Sequence, residues 1–241
     1  MDAVRTVGLT KIYGQDVVGV EDLTLRVEVG ESFGFVGPNG SGKTTTIRLL
    51  MDFLRPTRGS AHVLGLGAHT HSLAVRRRVG FLPGDLALYP DLTGRGTLDF
   101  FARLRADREP CLREQLLEQL DFPAEALRRR VATYSTGMRQ KLGLTVALQH
   151  DPELAILDEP TTGLDPLVRR SFHDTIRDWL RRGRTLFLSS HDIGEVEALC
   201  KRVCVLREGH IVADDETAKL RAAGAPGASL EDAILSFYKR T

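Results

Sequence analysis

One stretch constrains this chain more than any other: Gly37-Pro38-Asn39-Gly40-Ser41-Gly42-Lys43-Thr44. It fits G-x-x-x-x-G-K-[ST], a loop that cradles phosphate. Its flanks agree. Phe33-Gly34-Phe35-Val36 reads as a buried strand, and Thr45 to Leu54 carries Ile47, Leu50, Met51 and Leu54 at helical spacing. The glycines leave no side chain where backbone N–H groups must turn toward phosphate oxygens. The helix that follows presents unpaired N–H groups and a positive dipole end to the same anion. Lys43 can reach the β/γ-phosphates of a nucleotide, and the Thr44 hydroxyl can ligate Mg²⁺.

Global properties narrow the setting. With 241 residues the chain makes one large domain or one domain with a small insertion. Its 33 basic residues balance 32 acidic ones, so nothing global points to nucleic acid. No apolar run approaches the roughly 20 residues that span a bilayer. The N-terminus has no apolar core segment, so no secretory signal is expected. Cys111, Cys200 and Cys204 are too scattered for a disulfide framework and suit a reducing, cytosolic compartment. His62, His69 and His71 lack cysteine or carboxylate company and read as surface residues.

Val4 to Leu9 and Val20 to Val29 alternate apolar and polar side chains, as half-buried strands do. Tyr13 stands beside Gly14 at a strand end, where it suits a core residue as well as a ligand platform. Arg76-Arg77-Arg78 is a basic run ahead of a short strand, Val79 to Leu82. From Leu98 to about His150 the pattern turns helical, which suggests a helical subdomain inserted into a strand–helix core. Ser135 and Gly137 fall at or near the start of a fresh helix, offering a hydroxyl and backbone N–H groups to an anion.

Leu154-Ala155-Ile156-Leu157-Asp158-Glu159 is the second strong signal. A buried parallel strand would deliver two carboxylates at the sheet edge where ligands bind in open α/β sheets. Two acids there are costly unless something positive waits. Mg²⁺-nucleotide would supply it, with Asp158 holding the metal and Glu159 polarising the attacking water. Thr185 to Ser190 is another buried strand, and His191 leaves the same edge as a candidate γ-phosphate contact. Val203 to Leu206 and Ile211 to Ala213 form a hairpin, Ala222 to Ala228 a linker, and Leu230 to Tyr238 a short amphipathic helix.

Together these residues resemble the ATP-binding subunit of ABC transporters along essentially the whole chain. In that family's terms the P-loop is Walker A and Asp158-Glu159 closes Walker B. Gly163-Leu164-Asp165 is similar to the D-loop and His191 to the switch histidine. Tyr13 matches the aromatic on which adenine stacks. Ser135-Thr136-Gly137-Met138-Arg139-Gln140 occupies the signature position, usually Leu-Ser-Gly-Gly-Gln. Two departures stand out. Thr136 and Met138 replace a glycine and the glutamine of the signature, and Gly84 stands where the family usually places glutamine after Phe81-Leu82-Pro83. Glycine cannot reach Mg²⁺ or the water, which leaves Asp85 or a further water to fill that place.

The resemblance implies an α/β fold: a P-loop NTPase core with an antiparallel β subdomain and an inserted helical subdomain. Residues 1–221 would form the ATPase domain, with the helical part at about 86–150. Residues 222–241 would form a linker and a C-terminal amphipathic helix. It further implies ATP and Mg²⁺ as cofactors, with nucleotide contacts from Tyr13, the eight P-loop residues, Thr45, Ser135 and Gly137. Thr44 and Asp158 would hold the metal; Glu159 and His191 would be catalytic. ATP would lie between Walker A of one subunit and Ser135-Gly137 of another, in a homodimer or a heterodimer. Membrane-spanning permease subunits would dock near Asp85 to Thr93 through Leu88, Tyr89 and Leu92, unless these are core, and hold the chain at the cytoplasmic face of the membrane. The signature and the ending Leu230-Glu231-Asp232-Ala233-Ile234-Leu235 resemble those of drug exporters. A soluble ABC ATPase acting on ribosomes or DNA, and a nucleotide-gated module without hydrolysis, are the alternatives.

Overall fold

A computed structural model of the chain describes residues 1–14, 16–105, 111–223 and 229–239. Two long strands, β1 (Asp2–Tyr13) and β2 (Val17–Glu28), pair antiparallel from Asp2↔Glu28 to Tyr13↔Val17. β3 (Ser32–Val36) runs into the P-loop and α1 (Lys43–Leu50). β4 (Arg58–Val63) and β5 (Leu66–Gly67) complete a four-stranded antiparallel sheet in the order β2-β1-β4-β5. After α2 (Ser72–Arg78) and β6 (Val79–Leu82) comes the helical section: α3 (Gly94–Arg103), α4 (Arg113–Gln119), two 3-10 turns and α5 (Thr136–Leu148). Strand and helix then alternate through β7 (Leu154–Asp158), α6 (Pro166–Arg181), β8 (Thr185–Ser190) and α7 (Ile193–Leu199). A hairpin of β9 (Arg202–Arg207) and β10 (His210–Glu216) leads to α8 (Thr217–Ala222) and α9 (Leu230–Lys239). The second sheet has the order β10-β9-β3-β8-β7-β6 and is parallel except for β10.

The period-2 alternation of strand side chains sorts the core. Phe33, Phe35, Leu154, Ile156, Phe187 and Cys204 point to one face, where they meet α1 and the antiparallel sheet. Val36, Ala155, Leu157, Leu186, Leu188 and Val203 point to the other, under residues of α5, α6, α7 and α9. Because both faces are covered, these strands are almost wholly apolar, as parallel strands between helical layers must be. Leu98, Leu117, Phe122, Leu127, Tyr134 and Leu142 form a separate cluster within the helical section. Each such buried side chain contributes about 1.5–3 kcal/mol on transfer from water.

The structure trims or adds to several sequence readings. α1 stops at Leu50 rather than Leu54, because Asp52 adopts a left-handed φ of 56°. The Phe53 N–H donates to the Arg48 carbonyl at 2.8 Å and the Asp52 N–H to Leu49 at 3.3 Å, a Schellman closure that uses aspartate where glycine is usual. Arg76, Arg77 and Arg78 form the last turn of α2, and α8 is a helix that periodicity did not disclose. The helical stretch is three α-helices with 3-10 turns between α4 and α5. Most of the expected 222–228 linker, residues 224–228, lies outside the described residues. On α9, Leu230 and Ile234 are fully buried in the main core, with Phe237 and Tyr238 packed against it.

Candidate functional site

The P-loop, the C-terminal end of β7 and the β1–β2 turn enclose a cleft of about 510 Å³. Tyr13, Asn39, Gly40, Ser41, Gly42, Lys43, Thr44, Thr45, Asp158 and Glu159 line it. Gly42 has a φ of 108° and caps α1 without any side-chain hydrogen bond, so the first helical turn stays open to an anion. Lys43 is buried and folds back on its own loop, donating to the Gly37 carbonyl at 2.6 Å and the Pro38 carbonyl at 3.2 Å. Burial lowers its pKa, while the charges of Glu159 and Asp158 pull the other way. Phosphate oxygens can replace the two carbonyls as acceptors.

Asp158 is buried at the end of β7. Its Oδ2 accepts from the Thr44 hydroxyl at 3.0 Å, and its Oδ1 is buried without a hydrogen-bond partner among the described residues. A hydroxyl and an orphaned carboxylate oxygen form a hard-oxygen donor set, the kind Mg²⁺ takes through one or two protein groups. The donors therefore fit that ion. Glu159 follows with a left-handed φ of 53°, a strained conformation for a non-glycine residue. This kink turns its side chain back to the strand edge, where Oε2 lies 2.7 Å from Nδ1 of His191. His191 does not line the cleft itself; it reaches the cleft through Glu159.

The aromatic at the mouth is also held. Tyr13 Oη and Thr45 Oγ1 lie 3.2 Å apart, and Lys11 Nζ stands 5.5 Å from the ring centre. Ser135 and Gly137 are elsewhere. Ser135 caps α5, its Oγ accepting from the Met138 N–H at 3.2 Å, and neither residue belongs to the cleft wall. Thr136 is exposed beside Ser135.

The ABC transporter family model matches residues 20–162. The Nod factor export ATP-binding protein I of Burkholderia pseudomallei (strain 1710b) is 38% identical over 241 residues, covering 94% of this chain and 78% of that protein. This chain belongs to the ABC transporter ATP-binding proteins. Daunorubicin resistance ATP-binding protein DrrA3 of Streptomyces coeruleorubidus is 39% identical over 223 residues, covering 91% of this chain and 70% of the relative. A solved ATP-binding subunit of an ABC transporter superposes with a TM-score of 0.88 at 28% identity, over 98% of this chain and all of that one. A dimeric bacterial ABC transporter cassette shares the fold, with a TM-score of 0.78 at 20% identity over 88% of this chain and 98% of that one.

As an ABC ATPase subunit the chain binds and hydrolyses ATP, and its cleft contains residues that sequence reasoning missed. Val17, Val18 and Gly19 line it beside Tyr13, and Arg48 lines it one turn beyond Thr44. A single apolar pair at a turn carries no motif, so only the strand pairing Tyr13↔Val17 brings these residues to the cleft. Gly84 sits at the Asp158 end: a Cβ built on it would lie 3.2 Å from Asp158 Oδ2. Asp85 faces the cleft but is engaged with Arg48, at 2.9 Å. Of the expected docking residues, Leu88 packs partly into the helical core, whereas Tyr89 is exposed and meets Phe100 edge-on at 5.3 Å. His69 pairs with Asp52, and no group of three or more metal-ligating side chains occurs among the described residues.

Proposed function

We propose that this chain powers an exporter from the cytoplasmic face of the membrane, in partnership with separate membrane-spanning subunits and a second ATPase subunit, identical or related. The juxtaposition of Thr44, Asp158, Glu159 and His191 at one sheet edge carries the mechanistic reading. Export is supported by relatives named for Nod factor export and daunorubicin resistance. No helix among the described residues is long and apolar enough to cross a membrane, which fits separate membrane-spanning subunits.

In the proposed cycle Lys43 leaves the Gly37 and Pro38 carbonyls for the β/γ-phosphates, which the open first turn of α1 also receives. Thr44 and Asp158 would hold Mg²⁺, which offsets phosphate charge when bound. Glu159 accepts a hydrogen bond from the attacking water, and His191 holds the Glu159 carboxylate in place. Tyr13 gives adenine an aromatic face. Ser135 and Gly137, on the exposed start of α5, would meet the γ-phosphate held by the second subunit. Tyr89 and Phe100 are offered to the membrane subunit, and residues 222–241 extend the ATPase domain of residues 1–221, into which the helices at about 86–150 are inserted.

Glu159→Gln should keep ATP binding, lose turnover and trap an ATP-bound dimer, as read by phosphate release and by sizing. Hydrolysis at the parent rate would overturn the catalytic assignment.

A further inference from the structure

Behind the Glu159–His191 pair lies a buried acid that the mechanism above does not use. Glu195, in the first turn of α7, is 2% exposed. Its Oε2 accepts from the Ser190 hydroxyl at 2.7 Å, and Ser190 ends β8 immediately before His191. The Ser190 oxygen in turn accepts from the Asp192 N–H at 3.1 Å, so the hydroxyl proton is committed to Glu195. Its Oε1 is buried without a hydrogen-bond partner among the described residues, so Ser190 is what holds the carboxyl. The carboxyl therefore ties the strand end that carries His191 to the start of α7.

That turn needs support. The left-handed backbone of Glu159 costs about 1–2 kcal/mol and persists only where its surroundings over-determine it. On the opposite side Gln140 of α5 donates to the Pro160 carbonyl at 2.7 Å and to the Glu159 carbonyl at 3.3 Å, while the Glu159 N–H donates to the Ser189 carbonyl at 2.8 Å. The strand end that brings His191 to this turn is held from α7 through Glu195. Burial pushes its carboxyl up to about 7, with Asp192 and Glu159 adding to the rise and the Ser190 and Thr161 hydroxyls opposing it. An acid in such surroundings is costly, yet its one carboxyl partner, Ser190, leads to the reacting pair.

We propose that Glu195 is a positioning residue that clamps the strand end carrying His191 to α7, holding His191 at hydrogen-bond distance from Glu159. The role rests on the reading of Glu159 and His191 as the catalytic pair. Displacement of a catalytic group by about 1 Å costs on the order of 10²-fold in rate. Loss of the clamp should therefore lower kcat without weakening nucleotide binding, because Lys43, Thr44 and Tyr13 do not touch Glu195.

The test uses the full chain. The ring signals of His191 are recorded by NMR without nucleotide, and ATPase kinetics are measured separately, for the parent, Glu195→Ala, Glu195→Gln and Ser190→Ala. Glu195→Ala should move the His191 signals toward those of Glu159→Gln and lower kcat by roughly 10-fold or more, with KM for ATP within about 2-fold. Glu195→Gln should restore both, since its amide oxygen accepts from Ser190. Ser190→Ala, which removes one hydroxyl and leaves α7 in place, should shift the histidine in the same direction and decides the matter if Glu195→Ala does not fold. Parent-like His191 signals and kcat in the folded variants would overturn the clamp. A parent chain without ATPase activity would overturn the catalytic reading instead, and the histidine signals alone would then decide the clamp.

Discussion

The N-termini of α1 and α5 both offer backbone N–H groups to an anion, yet they are built in opposite ways. α1 begins at Gly42 with no side-chain cap, inside a cleft that also contains Tyr13, Arg48 and Asp158. α5 begins at Ser135, whose hydroxyl already caps the helix, and Ser135 and Thr136 stand exposed. The first is walled by four elements of its own chain. The second lies outside that cleft, against the Gly163 turn, so in the proposed cycle its phosphate arrives on another surface. The head-to-tail pair proposed above draws on that asymmetry, joining the walled helix start of one subunit to the exposed one of the other.

The comparison can be broken most directly at Lys43. Lys43→Ala removes a buried cation with two charge-assisted hydrogen bonds to give, each about 1.5–3 kcal/mol, so nucleotide affinity should fall about 10³-fold by calorimetry. Unchanged affinity would remove the walled half-site from the account. Support for that wall should also show in pH. The Glu195 carboxyl, raised to about 7, binds its proton more tightly folded than unfolded. Its contribution to stability is full below the unfolded value near 4.5 and is lost as pH rises toward 7. The difference in unfolding free energy between Glu195→Gln and the parent should therefore shift in favour of the variant by up to about 3 kcal/mol between pH 5 and pH 8. A pH-independent difference would mean that the acid titrates normally.

Ser135→Ala probes the bare side. It should leave ATP binding to the isolated subunit within about 2-fold and reduce hydrolysis by roughly 10-fold, the value of one hydroxyl-to-phosphate bond. If affinity in the isolated subunit fell as it does for Lys43→Ala, the two helix starts would belong to one site. The smallest effect is expected at Gly84. Its Cβ position, 3.2 Å from Asp158 Oδ2, lets Gly84→Ala nudge the carboxylate by a few tenths of an ångström. A few-fold weaker Mg²⁺ dependence of ATP binding should follow, the scale of about 1 kcal/mol; an unchanged titration would place the metal away from this oxygen.

Much of this architecture was written in local patterns. The loop at 37–44, the strands at 79–82 and 185–190 and the Ser135 cap come from short-range rules: side-chain period, glycine placement and a capping hydroxyl. α2 and α8 escaped because six or seven residues give too little periodicity, and the early end of α1 escaped because an aspartate does the work expected of glycine. The exposed Tyr89 and the core-facing Leu88 share one apolar stretch, and only their packing separates them.

By itself the sequence determined that ATP is bound, which charged residues stand at the loop and at the strand ends, and which kind of strand–helix core carries them, because each of those depends on neighbours a few positions apart. Only the tertiary structure decided that Glu159 meets His191, that Arg48 occupies Asp85, and that Gly84 abuts Asp158. Those contacts join residues separated by 32, 37 and 74 positions, as 191 − 159, 85 − 48 and 158 − 84 give. No local rule links residues so far apart. The parallel sheet does, by ending β6, β7 and β8 at one edge.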